Sequence, residues 1–482
     1  MTKLILLTFL LSVGFLSAAP PNILILLGDD IDRDSLGPWG GDAKTPHLDQ
    51  LAKQGIRLDN TYANVAMCAP FRQELFSGRV AWRTRAMPNH SRSIAGTKSL
   101  PHYLRPLGYR VGLLGKSHVG PRDAYPFDKV GALPMKEDPN PDAIKLARKY
   151  ISDARKAKEP FCLVVASHDG HGPYTHGNTE QYNPNSLKLT PDTIDTPTYR
   201  ESLVKHYAEV SNLDSLLGSL RAILAEEKLT ENTLVIFCSE QGNAFPFSKW
   251  TCFDDGLASG VVAALPGVIP AGKTSKQITW IADLAPTLVE AAGGKIAENN
   301  FDGKSQWANL TGQSKAIHQY AYGAFLNCNI IDNRDRVFPI RTIRDDRYTL
   351  IWSPRAEEEI TSNTSLSQAL EWIKAGQKTK GGPNTAGSWV LESQKSKKPS
   401  DAEIIKRLHH RPEWALFDRQ NDPHELNNLL ARRSLGEGGV SDPDSAPVLK
   451  RMKTDLQTWL AKWDDSDPVA TERSFVKKKK KN

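Results

Sequence analysis

The stretch NILILLGDD, residues 22–30, joins a short apolar run to two adjacent carboxylates. Residues 22–27 are mostly isoleucine and leucine without polar alternation, which predicts a strand buried on both faces of a sheet. Gly28 ends the run, and Asp29 and Asp30 follow it. In an open sheet of parallel strands, ligands bind beyond the carboxyl ends of the strands. The stretch therefore predicts a buried strand that delivers two carboxylates to a binding edge.

Apolar runs of the same kind recur along the chain and alternate with helical patterns. Further buried strands are predicted at 109–115, 161–167 and 233–239. Helices are predicted from Pro46, with Thr45 as N-cap, over 199–228 and over 283–294. Strands that alternate with helices predict an α/β domain built on a large, mainly parallel sheet.

The pattern changes after about residue 338. Residues 338–352 read as a hairpin with Asp345 and Asp346 near its turn, and 448–463 read as a helix. A smaller C-terminal α+β domain is expected here. The predicted boundaries are 1–19 for a signal peptide, 20–335 for the α/β domain, 336–466 for the smaller domain and 467–482 for a basic, disordered tail.

The first nineteen residues have the pattern of a secretory signal. Lys3 precedes an apolar run over 4–16, and the small residues 17–19 end it. No later segment is long and apolar enough to span a bilayer. We therefore expect an exported protein, periplasmic or secreted, without stable membrane insertion.

Composition argues against a nucleic-acid-binding protein. The 482 residues carry a net charge of +7, but five of these charges are the lysines 477–481 at the end of the chain. A run of like charges is usually a solvated, disordered end. The hydrophobic share of 39% is that of an ordinary folded protein.

Polar residues follow each of the four predicted strands. They are Asp29 and Asp30, then Lys116 and His118, then His168 and His171, and finally Glu240 and Gln241. Parallel strands would gather them in one charged pocket. Adjacent carboxylates repel each other unless a cation lies between them. Carboxylate and amide oxygens suit calcium, or less well magnesium, and do not suit zinc.

The stretch MCAPFRQELFSG, residues 67–78, reads as a helix that begins near Cys68 and ends at Gly78. Arg72 lies one turn beyond Cys68, on the same face. The free N–H groups of a helix N-terminus favour negative charge near position 68. Because the chain has five cysteines, at least one thiol has no partner within the chain.

Cys68-Ala69-Pro70-Phe71-Arg72 resembles the C-x-P-x-R signature of the formylglycine-dependent sulfatases. The resemblance extends over about 22–430 and includes KTPHLDQLAKQGIRLDNTYA, LRPLGYRVGLLGKSHVG and WALFDRQNDPHELNNLL. It implies an alkaline-phosphatase-like fold and hydrolysis of sulfate monoesters, as in a sulfated saccharide. It also implies that a formylglycine-generating enzyme oxidises Cys68 to an aldehyde during maturation.

The resemblance implies a role for each matching residue. The metal ligands would be Asp29, Asp30, residue 68, Glu240 and Gln241. The catalytic group would comprise Cys68 as formylglycine nucleophile, Arg72 as its support, Lys116 and Lys249 on the sulfate, His118 on the formylglycine hydroxyl and His171 on the leaving oxygen. In the family, the metal pair usually reads Asp followed by Asn or His, and here each side chain is one methylene longer.

Two other functions are compatible with these residues. A phosphomonoester or phosphonate-ester hydrolase of the same superfamily would bind a similar tetrahedral anion. A non-catalytic binder of sulfated glycans would be consistent with the altered pair Glu240-Gln241 and the basic tail.

Overall fold

The computed structural model describes residues 20–313, 316–328, 336–360, 385–396, 398–431 and 445–476. The predicted signal peptide and the terminal lysine run lie outside these residues. Across the described ranges, no helix combines the length and the apolar character needed to cross a membrane.

A mixed, mainly parallel sheet is the centre of the larger domain, as predicted. Its strands are β1 Asn22–Leu27, β2 Ile56–Tyr62, β3 Arg110–Gly115, β4 Asp128–Gly131, β5 Phe161–Ala166, β6 Thr233–Cys238, β7 Ala258–Ala264, β8 Lys273–Ser275 and β9 Thr279–Trp280. Their order is β4-β3-β5-β1-β6-β7-β2-β8, with β9 paired to β2. β7 runs antiparallel to β6 and β2, and the other pairs in the described residues are parallel.

Helices cover both faces of this sheet, and β1 shows why its sequence is apolar throughout. The side chains of Leu24 and Leu26 enter one core, which also holds Leu213 and other residues of the longest helix. Ile23 and Ile25 enter a second core on the opposite face. Each apolar side chain of the strand is therefore buried, and no polar alternation survives.

The helices are α1 Pro46–Gln54, α2 Cys68–Ser77, α3 Ala81–Thr84, α4 Leu100–Leu104, α5 Asn140–Ala157, α6 Pro197–Glu226, α7 Asp254–Leu257, α8 Leu284–Ala291, α9 Trp307–Leu310, α10 Thr385–Lys395, α11 Pro399–His409, α12 Ser445–Lys462 and α13 Pro468–Phe475. The helices predicted from Pro46, over 199–228 and over 283–294 correspond to α1, α6 and α8. Thr196 caps α6 by accepting a hydrogen bond from the Tyr199 N–H, and Pro197 occupies the first turn.

A second, antiparallel sheet forms the smaller domain. It contains β10 Ala321–Phe325, β11 Ile340–Arg344, β12 Tyr348–Trp352 and β13 Trp414–Asp418, in that order. The predicted hairpin is confirmed as β11 and β12. Its turn is stabilised by the Asp345 carboxylate, which accepts hydrogen bonds from the backbone N–H groups of Arg347 and Tyr348.

The structure differs from the predicted boundaries at two points. Strand β10 belongs to the small sheet although it precedes residue 336. Helix α13 occupies the first part of the stretch assigned to a tail. It is capped by Asp467 and is docked through buried Glu472, which accepts a hydrogen bond from the Cys328 N–H at 2.7 Å. The remaining tail residues, 477–482, lie outside the described residues.

One buried ion pair joins the small sheet to the segment before α13. Arg341 on β11 and Asp465 are both fully buried, with Nε donating to Oδ2 at 2.5 Å and Nη2 donating to Oδ1 at 2.9 Å. The Trp82 indole N–H on α3 donates to the same carboxylate at 2.7 Å. This carboxylate therefore connects the small domain, its C-terminal segment and the large domain.

We expect Asp465→Ala to lower the free energy of unfolding by about 3–5 kcal/mol, because it leaves the Arg341 guanidinium buried without its partner. Glu226→Ala is the control. It removes an ion pair with Arg148 in which both side chains are about half exposed, so its effect should stay below about 1 kcal/mol. Urea denaturation followed by tryptophan fluorescence measures both. Equal losses would contradict this account of the domain junction.

Candidate active site

Four parallel strands end side by side at one edge of the large sheet. β3, β5, β1 and β6 are consecutive neighbours, so their carboxyl ends face the same way. The polar residues that follow them are Asp29 and Asp30, Lys116 and His118, His168 and His171, and Glu240 and Gln241. This edge is where an open α/β sheet binds its ligand.

Helix α2 brings Cys68 to the same edge. The helix begins at Cys68, after extended Met67, and ends before Gly78, whose φ of 68° is the left-handed conformation that glycine adopts easily. All ten residues of the helix are buried, including Arg72. The Cys68 Sγ and one carboxylate oxygen from each of Asp29, Asp30 and Glu240 all lie within 4.8 Å of one another.

Three buried carboxylates and three buried or nearly buried cations meet around Cys68. Charges removed from water need partners at close range. The ion pairs are Arg72 Nε with Glu240 Oε1, Lys116 Nζ with Asp29 Oδ2, and Lys249 Nζ with Asp30 Oδ2 at 2.5 Å. Each of the three carboxylates is therefore matched by one cationic side chain.

Two buried side-chain oxygen atoms of the cluster have no hydrogen-bond partner among the described residues. The Oδ1 of Asp29 and the Oε1 of Gln241 are both buried and accept no hydrogen bond. The Gln241 amide donates to Asp30 Oδ1 at 2.6 Å, so both side chains belong to one cluster. Carboxylate and amide oxygens are the ligands that calcium and magnesium prefer. The residues present therefore fit a hard divalent cation.

Burial and neighbouring charges shift the pKa values of Asp29 and Glu240 in opposite directions. Burial alone would raise the pKa of Asp29, but the Lys116 ammonium and the Arg72 guanidinium hold it well below its usual range. Burial raises the pKa of Glu240 well above its usual range despite Arg72, and the Asp29 carboxylate adds to this rise. A divalent cation would keep both carboxylates ionised.

The thiol of Cys68 is a poor nucleophile as it stands. Burial raises its pKa to about 11, although the ammonium groups of Lys249 and Lys116 act in the opposite direction. The Lys249 Nζ lies 4.0 Å from Sγ, and Asn89 Oδ1 lies 3.9 Å from it. An unmodified cysteine would remain protonated at neutral pH, and nucleophilic cysteines are thiolates.

Two histidines follow β5 and face the carboxylates. His171 Nε2 lies 3.6 Å from Asp30 Oδ2, and its side chain is about one third exposed. His168 Nδ1 lies 3.9 Å from Asp29 Oδ2. Burial, with Lys116 and Arg72 nearby, lowers the pKa of His168 to about 4. Both rings therefore lie at the rim of the buried cluster, where a substrate could reach them.

His118 is held by His90, which the sequence suggests only as a conceivable sugar contact and not as a partner of His118. The His118 Nε2 lies 2.7 Å from His90 Nδ1. His90 follows Asn89 in the chain, and Asn89 Oδ1 lies 3.9 Å from the Cys68 sulfur. Burial, Lys116 and His90 together lower the pKa of His118 to about 3. The loop that carries Asn89 and His90 follows no strand of the sheet, so the pattern of polar residues at strand ends does not find it.

Comparison with known proteins agrees with this geometry. Residues 21–294 match the family model described as Sulfatase. An ulvan-active sulfatase of Formosa agariphila is 30% identical over 444 residues, which cover 91% of this chain and 80% of that protein. The human N-sulphoglucosamine sulphohydrolase is 26% identical over 507 residues, covering 95% and 93% of the two chains.

A solved structure shares the fold over nearly the whole chain. A protein in complex with its substrate D-glucosamine-2-N,6-O-disulfate superposes with a TM-score of 0.67 at 17% identity. The match covers 93% of this chain and 99% of the other. The two-sheet architecture is therefore common to both proteins.

The buried oxygen cluster generates a prediction about metal removal. We expect millimolar Ca²⁺ to raise the melting temperature of chelator-treated protein, since a ligand at 100 times its Kd stabilises the native state by about 2.7 kcal/mol. Asp30→Ala should abolish this rise. Glu74→Gln, on the same helix as Cys68, alters a buried carboxylate that accepts hydrogen bonds from the Asn64 and Ala81 N–H groups. It should keep the rise. A calcium response in the Asp30 variant would refute the site.

Proposed function

The chain belongs to the sulfatase family and is a sulfuric ester hydrolase, and we propose that it removes sulfate from a sulfated saccharide through a formylglycine made from Cys68 and a bound calcium ion. The observation that carries the proposal is the buried cluster of Cys68, Asp29, Asp30 and Glu240, whose ligand atoms lie within 4.8 Å of one another. Cys68 stands there inside a C-x-P-x-R motif.

The proposed groups supply what the side chains lack. Hydrated formylglycine offers two hydroxyls on one carbon, one to attack sulfur and one to let sulfate leave. Oxygens of Asp29, Asp30, Glu240 and Gln241 would hold calcium, which would supply positive charge as a Lewis acid next to residue 68. The maturing enzyme would act before or during folding, since Cys68 is only 2% exposed in the folded chain.

Lys116 and Lys249 are proposed to bind the sulfate oxygens. Each is now paired with a carboxylate that would ligate the cation. Once Asp29 and Asp30 share their charge with a cation, both ammonium groups can turn to an anionic substrate. Neighbouring carboxylates raise the pKa of both lysines against the effect of burial, so they stay charged. Fixed cations in a site without water stabilise the charge that builds on the transferring group.

Two histidines are proposed to move protons. His171 would protonate the oxygen of the departing alcohol, since its ring is partly exposed beside Asp30. His118 would accept the proton of the second hydroxyl, which releases sulfate and restores the aldehyde. Burial, Lys116 and His90 lower its pKa to about 3, so the ring is neutral before the transfer. Arg72 would hold Glu240 and Asp29 in place from the interior.

Sulfated saccharides are the proposed substrates because the names of two relatives refer to saccharides. One is named for its activity on ulvan and the other for N-sulfoglucosamine. The secretory pattern at the N-terminus supports action outside the cytoplasm. Comparing initial rates on 4-nitrophenyl sulfate and 4-nitrophenyl phosphate separates the proposal from a phosphate-ester hydrolase.

The experiment that tests the proposal is a mass analysis of the peptide around Cys68, from protein co-produced with a formylglycine-generating enzyme. We expect residue 68 to carry an aldehyde in place of its CH₂–SH group. Cys68→Ser should keep the fold but lose turnover of 4-nitrophenyl sulfate by at least about 10³-fold, since serine has no second hydroxyl. An unconverted thiol in fully active enzyme, or an active serine variant, would contradict the mechanism and favour another role.

A further inference from the structure

The loop that carries His171 is not fixed by the histidine itself. His171 Nδ1 lies 2.8 Å from the carbonyl oxygen of its neighbour Gly172, and its Nε2 is 3.6 Å from Asp30. These contacts orient the imidazole ring but do not fix the backbone of the loop. The position of the ring therefore depends on what holds the backbone of residues 167–177.

A carboxylate on α6, that of Glu209, accepts hydrogen bonds from the backbone on both sides of His171 in the chain. Glu209 is fully buried. Its Oε2 accepts a hydrogen bond from the Gly170 N–H at 3.1 Å, and its Oε1 accepts one from the Thr175 N–H at 2.7 Å. These two donors lie just before and shortly after His171 in the chain. Burial raises the pKa of Glu209 to about 7, although His176 and the two N–H donors act in the opposite direction. Both hydrogen bonds are strongest when the carboxylate is ionised.

A second carboxylate is linked to the first through His176. The His176 Nε2 lies 2.7 Å from Asp169 Oδ1, and its Nδ1 lies 3.3 Å from Glu209 Oε1. Burial would lower the pKa of His176, but its hydrogen bond to Asp169 and the Glu209 charge raise it. The Ser167 hydroxyl donates to Asp169 Oδ2 at 2.5 Å. The imidazole thus hydrogen-bonds to Asp169, which ties both ends of the loop together, and its Nδ1 lies within ion-pair distance of Glu209 without a hydrogen bond to it.

Two glycines let the loop approach its supports closely. Gly170 has a φ of 92°, and a Cβ there would lie 2.5 Å from the carbonyl oxygen of Asp29. Gly177 has a φ of 82°, and a Cβ there would lie 2.4 Å from the carbonyl oxygen of Ala208, next to Glu209. The loop therefore contacts the backbone of Asp29, a proposed metal ligand, at one end and the backbone of α6 at the other.

We propose that Glu209, assisted by His176 and Asp169, is a positioning site that holds the 167–177 loop so that His171 can protonate the leaving oxygen. This inference rests on the proposed function, because it concerns the role given there to His171. Glu209 touches no reacting atom, and its effect passes through the backbone. In Glu209→Gln the side-chain shape is kept, but the amide NH₂ faces one of the two backbone N–H donors.

The experiment compares Glu209→Gln with wild type in the mature, calcium-loaded enzyme. We expect faster hydrogen exchange at the Gly170 and Thr175 amides. Phenyl sulfate has the poorer leaving group and needs a proton donor, whereas 4-nitrophenyl sulfate hardly does. We therefore expect kcat on phenyl sulfate to fall at least about 10-fold more than kcat on 4-nitrophenyl sulfate, given that general acids contribute about 10²–10⁴-fold.

Asp214→Asn is the matched control. Asp214 lies five residues further along α6, is also buried, and also accepts two backbone hydrogen bonds, from His47 and Leu48. It holds α1 and not the His171 loop, so it should leave the ratio of the two esters unchanged. If Glu209→Gln does not fold, His176→Asn should show the same changes at smaller size, because it removes the imidazole between Asp169 and Glu209 but leaves both backbone hydrogen bonds of Glu209.

Hydrogen exchange in the 167–177 loop that equals wild type in the folded variant would overturn the inference. If exchange is faster but kcat falls equally on phenyl sulfate and 4-nitrophenyl sulfate, the loop-positioning role of Glu209 stands. That result would contradict the proton-donor role proposed for His171. The two failures are therefore distinguishable.

Discussion

Six charged side chains removed from water where four strands end are the constraint on which the site depends. Arg72, Lys116 and Lys249 balance Asp29, Asp30 and Glu240 pair by pair. Burying an unpaired charge is costly, so removing any one of the six side chains leaves its partner buried without a counter-charge and destabilises the fold. A divalent cation adds two positive charges to this set, and a sulfate monoester, which carries one negative charge, offsets one of them. Cation and ester should therefore bind in support of each other.

The central strands could be predicted from sequence because burial on both faces leaves an uninterrupted apolar run, as in β1. The run 258–264 was harder to recognise. It contains alanine, glycine and serine, and the glycine is required by Leu36 and Trp39, because a Cβ on Gly260 would lie 2.7 Å from the Leu36 side chain. Strand β2, IRLDNTY, mixes polar and apolar residues at the outer part of the sheet. Strand β10 joins the small sheet through long-range pairing that no local pattern reveals.

The same reasoning explains which parts of the site the sequence reveals. Polar residues directly after apolar runs, such as Asp29 and Glu240, can be predicted as site residues because a recognisable strand precedes them. Asn89 lies in a loop without such a marker, yet approaches Cys68 to 3.9 Å. Glu209 lies within a long helix, where a lone acidic residue is usually a solvated charge. Only the packing of α6 against the loop after β5 makes it a buried acceptor.

The most direct test is a crystal structure of the mature enzyme grown with calcium. We predict one cation within about 2.3–2.6 Å of oxygens from Asp29, Asp30, Glu240 and Gln241, an oxygen-bearing residue 68 next to it, and both lysine ammonium groups turned away from their carboxylates toward the ester site. Density showing a free thiol at residue 68, with Lys116 and Lys249 still on Asp29 and Asp30 and no cation between them, would contradict the account.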